Sequence, residues 1–310
     1  MPDISRTRIV DVTLRDGGYR NNFNFGMTYI CNHIRLMQGA GVDFIEVGYR
    51  NGSAVKIDKI GRTGLSDNAY IEAIRAACPD ANLGLIVHAH NITEQDIYDM
   101  AERGIKLLRF CANAKSIDRT AELAALAKSL GMISTINIVR ISSYTTDTLQ
   151  ALLDQINARD HRFDVIYAAD SNGNLTPEHA NRIFGTIKGA APQAELGFHA
   201  HDNIGQAMSN TISVMENFGV TYVDASLLGM GKGIGNLRLE QLVAYLNRVG
   251  GTRYDPLQII CAAHLLRNDA EYFENEDYSI DIISGLNDLS VVERDRAFNI
   301  WQTARQQALA

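Results

Sequence analysis

The chain has 310 residues, 46% of them hydrophobic and 21% charged, with a net charge of −7. This is the composition of an ordinary globular protein; it excludes a disordered or fibrous chain, and the acidic balance without a Lys/Arg run speaks against nucleic acid or an anionic membrane as partner. No apolar stretch is long enough for a leader core or a membrane span, and the four scattered cysteines, Cys31, Cys78, Cys111 and Cys261, form no C-x-x-C, which predicts a reduced, cytoplasmic protein.

Eight β-rich runs follow one another along the chain: RIVDVTLR (8–15), FIEVGY (44–49), LGLIVHA (83–89), LLRFCA (107–112), ISTINIVR (133–140), VIYAADS (165–171), ELGFHAH (195–201) and YVDASLLG (222–229). They start about 25 to 40 residues apart, and the gaps hold apolar positions at helical spacing. TYICNHIRLMQGAG (28–41) is one such helix, closed by Gly39 and Gly41. TAELAALAKSLG (120–131) is a second. TPEHANRIFGTIKG (176–189) is a third, with Thr176 as N-cap and Pro177 in the first turn. Strands alternating with helices predict an α/β protein with a parallel sheet, and eight repeats of this length fit a closed (β/α)8 TIM barrel, with an open doubly wound sheet as the rival. The barrel is expected over 1–250. Residues 251–310 are expected as a helical C-terminal extension, from DPLQIICAAHLLRNDAEYF (255–273) and VVERDRAFNIWQTARQQ (291–307), packed on the barrel or on a dimer partner.

The C-terminal ends of the runs are the polar ones: LRDGGYRNN (14–22), EVGYRNGS (46–53), VHAHN (87–91), ADSNGN (169–174), HAHDN (199–203) and GMGKGIGN (229–236). That is the face on which barrels carry their active sites. His199 and His201 are two apart on a strand, so both side chains share one face. Asp16, at the end of the first run, lies next but one to the seventh once a barrel closes. Two imidazoles and a carboxylate make a three-donor site for a divalent ion, and Asn236 could add an amide oxygen. A second H-x-H pair, His88 and His90, has the same spacing and is read as pocket wall or acid/base. GMGKGIGN fits neither a Walker A loop nor a dinucleotide fingerprint. It is either a structural loop or, through Lys232 and backbone N–H groups, a grip on an anionic substrate tail. Arg20 and Arg50 at the mouth point to a substrate bearing carboxylate or hydroxyl groups.

DVTLRDG, GFHAHDN and GMGKGIGN, in that order on strands 1, 7 and 8, resemble the metallolyase superfamily of TIM barrels, which includes hydroxymethylglutaryl-CoA lyase, the 4-hydroxy-2-oxovalerate aldolases and the isopropylmalate and homocitrate synthases. The likeness runs over roughly residues 8–240. It implies a divalent metal, Mn2+ or Mg2+, held by Asp16, His199 and His201, with Asn236 as a further ligand. It implies that Arg15 stabilises an enolate oxygen, that Glu46 is a polar site residue at the end of strand 2, and that Ser171 lies near a pyruvate-like substrate. The sequence departs from the aldolases where they carry a histidine base three residues after the aspartate; Tyr19 stands there. A phenol titrates near 10, so Tyr19 is a poor base unless a cation lowers that value, and His88 or His90 is the better matched imidazole.

The residues and the resemblance together imply a metal-dependent carbon–carbon lyase. It would split, or form, a 4-hydroxy-2-oxo acid through a metal-stabilised pyruvate enolate, with a small 2-oxo acid and an aldehyde as its partners. The alternatives are a Claisen-condensing synthase using acyl-CoA and a 2-oxo acid, and a non-catalytic scaffold. Family habit and the amphipathic tail add the expectation of a homodimer.

Overall fold

All eight apolar runs form strands, and they close on themselves. The structure is a computed structural model and describes residues 4–158, 163–250, 253–268 and 278–309. Its strands are β1 (Arg8–Asp11), β2 (Phe44–Tyr49), β3 (Leu83–His88), β4 (Leu107–Ala112), β5 (Ile133–Ile138), β6 (Val165–Asp170), β7 (Glu195–Ala200) and β8 (Tyr222–Ala225). Each pairs in parallel with the next, and β8 pairs with β1, giving a closed barrel in chain order. The open-sheet alternative is thereby excluded. The runs read as nearly continuous apolar segments because strands in such a barrel are buried on both faces.

Side chains two apart along each strand fill the interior in layers. Val10, Val12, Phe44, Leu107, Val165, Tyr167 and Tyr222 form the lower apolar plug. Gly197 makes room for it: a Cβ there would lie 2.4–2.5 Å from the Tyr167 ring. Gly197→Ala is therefore expected to cost about 1–3 kcal/mol of stability through overpacking, read as a lower urea midpoint; an unchanged midpoint would show that the Tyr167 ring has room to yield.

The intervening helices cover the barrel and bury a second, larger apolar layer against the outer strand faces. Their starts follow the expected chemistry. Thr176 accepts a hydrogen bond from the His179 N–H, with Pro177 opening the helix Pro177–Ala190. Thr93 and Asp96 form a reciprocal capping box at Glu94–Glu102. The helix Met27–Gly39 is closed by Gly41, in the left-handed region at φ 82°; Gly39, expected to share that role, is its last helical residue, with Ala40 as the C-cap.

Strand 1 is shorter than expected. Asp11 Oδ1 accepts from both the N–H and the hydroxyl of Thr13, and the N–H groups of Arg15 and Asp16 return to the Val12 carbonyl at 3.2 and 2.8 Å. This side-chain turn bends the chain out of the sheet after Asp11. Arg15 and Asp16 are thus delivered over the mouth by a helical turn, not by the strand itself.

Beyond the helix Leu239–Gly250, residues 251–252 and 269–277 lie outside the described residues, as does the end of the first expected tail helix. The helix Pro256–Asn268 is anchored on the barrel's first helix through Gln258 Nε2 to the Gly39 carbonyl, 3.1 Å. The helix Tyr278–Leu286 and the turn after it lie over the ends of β6 and β7. Asp288 Oδ1 accepts from Ser142, Asn172 and Asn174 at 2.7–2.9 Å, and Asn203 donates to the Asp281 carbonyl at 2.9 Å. The helix Arg294–Leu309 packs with this segment around Ile280, Leu289 and Ala297.

Candidate active site

The loop ends of the strands enclose a cavity of about 210 Å³ at the C-terminal face of the barrel. Arg15, Asp16, Tyr19, His88, Ser171, His199, His201 and Lys232 all line it. These residues are far apart in the sequence; the closed barrel brings them to one hollow.

At its floor, Asp16, His199 and His201 are buried, and their donor atoms lie within 4.8 Å of one another. The two imidazoles hold each other in an unusual relation. His199 Nδ1 is 2.9 Å from Asp224 Oδ2, and His201 Nδ1 is 3.2 Å from the Lys232 carbonyl oxygen. A carbonyl can only accept, and so can an ionised carboxylate. Asp224 is ionised: its burial opposes charge, but Arg109 and His199 hold it below the ordinary carboxylate range. Both Nδ1 atoms therefore carry protons, and the two Nε2 atoms are turned into the cavity. The two Nε2 atoms face each other across 3.2 Å. Asp16 Oδ2 lies 3.7 Å from the His201 Nε2. Burial pulls the His201 imidazolium pKa down to about 3, so His201 is neutral at neutral pH and its Nε2 lone pair is free to ligate. Two converging Nε2 atoms and a carboxylate, all desolvated, fit a divalent cation.

Asp16 itself stays ionised. Its burial is outweighed chiefly by the Arg15 guanidinium, with the Asn236 hydrogen bond adding to it, and together they hold it well below the usual range. Asn236 Nδ2 donates to Asp16 Oδ2 at 2.8 Å, while Asn236 Oδ1 is buried without a hydrogen-bond partner. The glycine loop wraps this cluster. A Cβ at Gly231 would lie 2.3 Å from Asn236 Nδ2 and 2.7 Å from Asp16 Oδ2, so only glycine lets the backbone pass so close.

Beneath the cluster runs a closed chain of buried charge. Arg15 Nη1 donates to Asp16 Oδ1, and Arg15 Nε donates to Glu46 Oε1. Arg109 Nη1 donates to Glu46 Oε2 at 2.8 Å, and Arg109 Nη2 donates to Asp224 Oδ2, which in turn holds His199. Arg109 is fully buried and lies over the Tyr167 ring, 4.4 Å from its centroid. Sequence reasoning missed Arg109 and Asp224. The available signal was a single charged residue inside each of the runs LLRFCA and YVDA, where both faces are buried. It also missed Tyr49, Cys111, Asn137 and Arg140, which line the cavity.

Several expected site residues are placed differently. Glu46 lies in the middle of β2, completely buried, with its two oxygens held by Arg15 and Arg109. Arg50 turns outward: its guanidinium binds Asp96 Oδ1 at 2.9 Å and the Ser66 carbonyl at 2.9 Å, and it is not among the cavity-lining residues. His90 is exposed and packs on His88, with ring centroids 5.5 Å apart. His88 stacks on Tyr49, and burial, His90 and Arg15 lower its pKa to about 4, so it is a neutral but weak base and not the imidazole matched to neutral pH. Burial likewise decides for Tyr19. It raises the phenol above its ordinary value, and Arg15 does not reverse that. Tyr19 keeps its proton, with its hydroxyl 3.2 Å from that of Tyr49. Ser171 Oγ accepts the Arg140 N–H at 2.9 Å. Lys232 is half-buried, its Nζ 5.7 Å from the Tyr19 ring centroid.

Comparison with known proteins gives a consistent set of relatives. A family model described as HMGL-like matches residues 6–265. The chain is 30% identical over 244 residues to an oxaloacetate decarboxylase of Mycobacterium tuberculosis, covering 78% of this chain and 70% of that one. It is 30% identical over 246 residues to a 4-hydroxy-2-oxovalerate aldolase of Carboxydothermus hydrogenoformans, covering 79% and 72%. Among solved structures, the N-terminal domain of a candidate aldolase from Bacteroides vulgatus superposes with a TM-score of 0.78 at 25% identity, covering 96% of each chain. The HMG-CoA lyase of Brucella melitensis shares the fold, with a TM-score of 0.70 at 18% identity, covering 84% of this chain and 97% of that one.

Proposed function

The chain belongs to the HMGL-like family, and on that premise we propose a divalent-metal-dependent lyase that cleaves, or forms, the carbon–carbon bond of a 4-hydroxy-2-oxo acid by way of a pyruvate enolate. The observation that carries this reading is the pair of Nε2 atoms converging beside Asp16, with Arg15 at its edge. The named relatives support it, since aldol cleavage and oxaloacetate decarboxylation both leave the enolate of pyruvate. The condensing synthase has no such support, and the complete donor set argues against a scaffold.

Mn2+ or Mg2+, held by Asp16, His199 and His201 with the unpartnered oxygen of Asn236 as a fourth donor, would act as a Lewis acid on the 2-oxo carbonyl. Arg15 is fixed by two carboxylates through Nε and Nη1, which leaves Nη2 to face the oxygen on which charge develops. A donor held this way needs no reorganisation in the transition state, and its loss costs about 3–4 kcal/mol of barrier. Glu46 acts through Arg15 by orienting it. His88, neutral and facing the cavity, accepts the substrate hydroxyl proton; His90 passes it to solvent. Tyr19, which keeps its proton, returns one to the enolate carbon. Ser171 stands beside the pyruvate-like end of the substrate, and Lys232 grips an anionic group at its tail. The exposed apolar side chains Leu286, Val292 and Phe298 of the tail suit a homodimer contact, and the free cysteines suit a cytoplasmic setting.

The test is proton exchange. With Mn2+ and pyruvate in heavy water, the protein is expected to deuterate the pyruvate methyl group, seen by proton NMR. Tyr19→Phe is expected to slow that exchange by roughly 100-fold with metal content unchanged. Exchange into acetyl-CoA but not into pyruvate would overturn the reading.

A further inference from the structure

The mouth of the cavity carries more positive charge than a monocarboxylate substrate can use. In the connected ion-pair chain at the floor, the carboxylates of Asp16, Glu46 and Asp224 face the guanidiniums of Arg15 and Arg109, which leaves that chain one net negative charge. A divalent ion and one substrate carboxylate bring that set to neutrality. Lys232 and Arg140, which also line the cavity, then stand as surplus. No salt bridge to the Lys232 ammonium is formed among the described residues; its near neighbour is the face of Tyr19. Arg140 has only a loose pairing, 3.9 Å from Glu293 Oε2, an oxygen already held by the Ser290 N–H and hydroxyl at 3.0 and 2.8 Å.

Both cations are held in place by their backbones. The Lys232 N–H donates to Asp16 Oδ2 at 3.3 Å, and its carbonyl accepts from His201. Arg140 sits at φ 53°, which non-glycine residues rarely adopt, and its N–H is bound to Ser171 Oγ. The Arg140 side chain is exposed at the rim, so its guanidinium is reachable by the far end of a bound substrate while its backbone is fixed.

We propose that Lys232 and Arg140 form a subsite for a second carboxylate, at the end of the substrate opposite its 2-oxo acid group, so that the substrates are dicarboxylic 2-oxo acids. This rests on the lyase reading above. In the cleavage direction the hydroxyl proton passes to His88, the C3–C4 bond breaks with its electron pair left on C3, and C4 departs as the carbonyl of a fragment that keeps the second carboxylate.

The experiment is calorimetric binding to the Mn2+-loaded protein. It compares 2-oxoglutarate with 5-methyl-2-oxohexanoate, in which an isopropyl group replaces the distal carboxylate at equal shape. The dicarboxylate is expected to bind at least about tenfold more tightly, as charge-assisted contacts to two cations require. That ratio is expected to fall towards one in Lys232→Met and in Arg140→Met, and to survive in Lys232→Arg. Equal binding of the two ligands by the wild-type protein, with pyruvate proton exchange intact, overturns the subsite and leaves the lyase reading standing. A protein that binds neither ligand and exchanges no pyruvate protons overturns both.

Discussion

Asp16→Asn is expected to strip divalent metal from the purified protein and to lower pyruvate proton exchange by roughly 1000-fold, with the fold retained. The carboxylate is the hub of the site. Its Oδ1 takes Arg15; its Oδ2 takes Asn236 and the Lys232 N–H and stands 3.7 Å from His201. An amide has the same shape, but it removes the only anionic donor of the cluster. It also turns an N–H toward either Arg15 or the Asn236 and Lys232 donors, so one hydrogen bond becomes a donor–donor clash. The buried site then carries the two imidazoles without a countercharge for a divalent ion, and metal affinity falls with it. Metal content by elemental analysis, exchange by NMR and far-ultraviolet circular dichroism check the three parts. A variant that keeps full metal occupancy and exchange would show that Asp16 is not a ligand, and the assignment of the centre would fall with it.

How much of the site is legible in the sequence depends on parity. Strands buried on both faces announce themselves as apolar runs, so the barrel was legible, and so was the shared face of His199 and His201. Asp16 was legible as a member of the same mouth, although the Asp11–Thr13 turn, not strand geometry, delivers it. Arg50 was placed at the mouth from its polar run alone, and parity with the inward Phe44 and Glu46 would have agreed. The pairing of β2 with β3 shifts between Glu46 and Tyr49, however, and Gly48 sits there at φ 152°, with the Thr63 carbonyl 1.9 Å from where a Cβ would be. The bulge turns Tyr49 into the cavity and Arg50 out to Asp96. No local pattern marks that shift except the glycine. Arg109 and Asp224 were overlooked for the opposite reason: parity placed them correctly, inward and level with Glu46, but only if a charged residue in an apolar run is taken as a demand for a buried partner. His90 lies outside the cavity because β3 ends at His88, so its ring follows the turn to solvent.

That overlooked pair carries the largest expected effect on stability. Arg109→Met is expected to destabilise the metal-free protein by about 3–5 kcal/mol, because it leaves Glu46 and Asp224 facing the barrel interior without a countercharge. Both carboxylates are fully or almost fully buried, so neither recovers solvent when the guanidinium is gone. Glu46 also holds Arg15, and Asp224 also holds His199. The same substitution should therefore weaken Mn2+ binding by roughly 10–100-fold, the usual effect of losing an outer partner of a ligand. Arg109→Lys keeps a charge, but an ammonium lacks the planar fork that spans two carboxylates, so an intermediate loss is expected. The decisive comparison is the triple change Glu46→Gln, Arg109→Met and Asp224→Asn. It removes every charge of the lower chain and should recover most of the lost stability, since replacing a whole buried ionic set is far less costly than breaking it. It should not recover metal affinity, because Arg15 and His199 still lack their charged partners. Urea unfolding and Mn2+ calorimetry separate the two effects. A wild-type urea midpoint in Arg109→Met would mean that water reaches Glu46 and Asp224, and that the closed chain of charge does not organise the site.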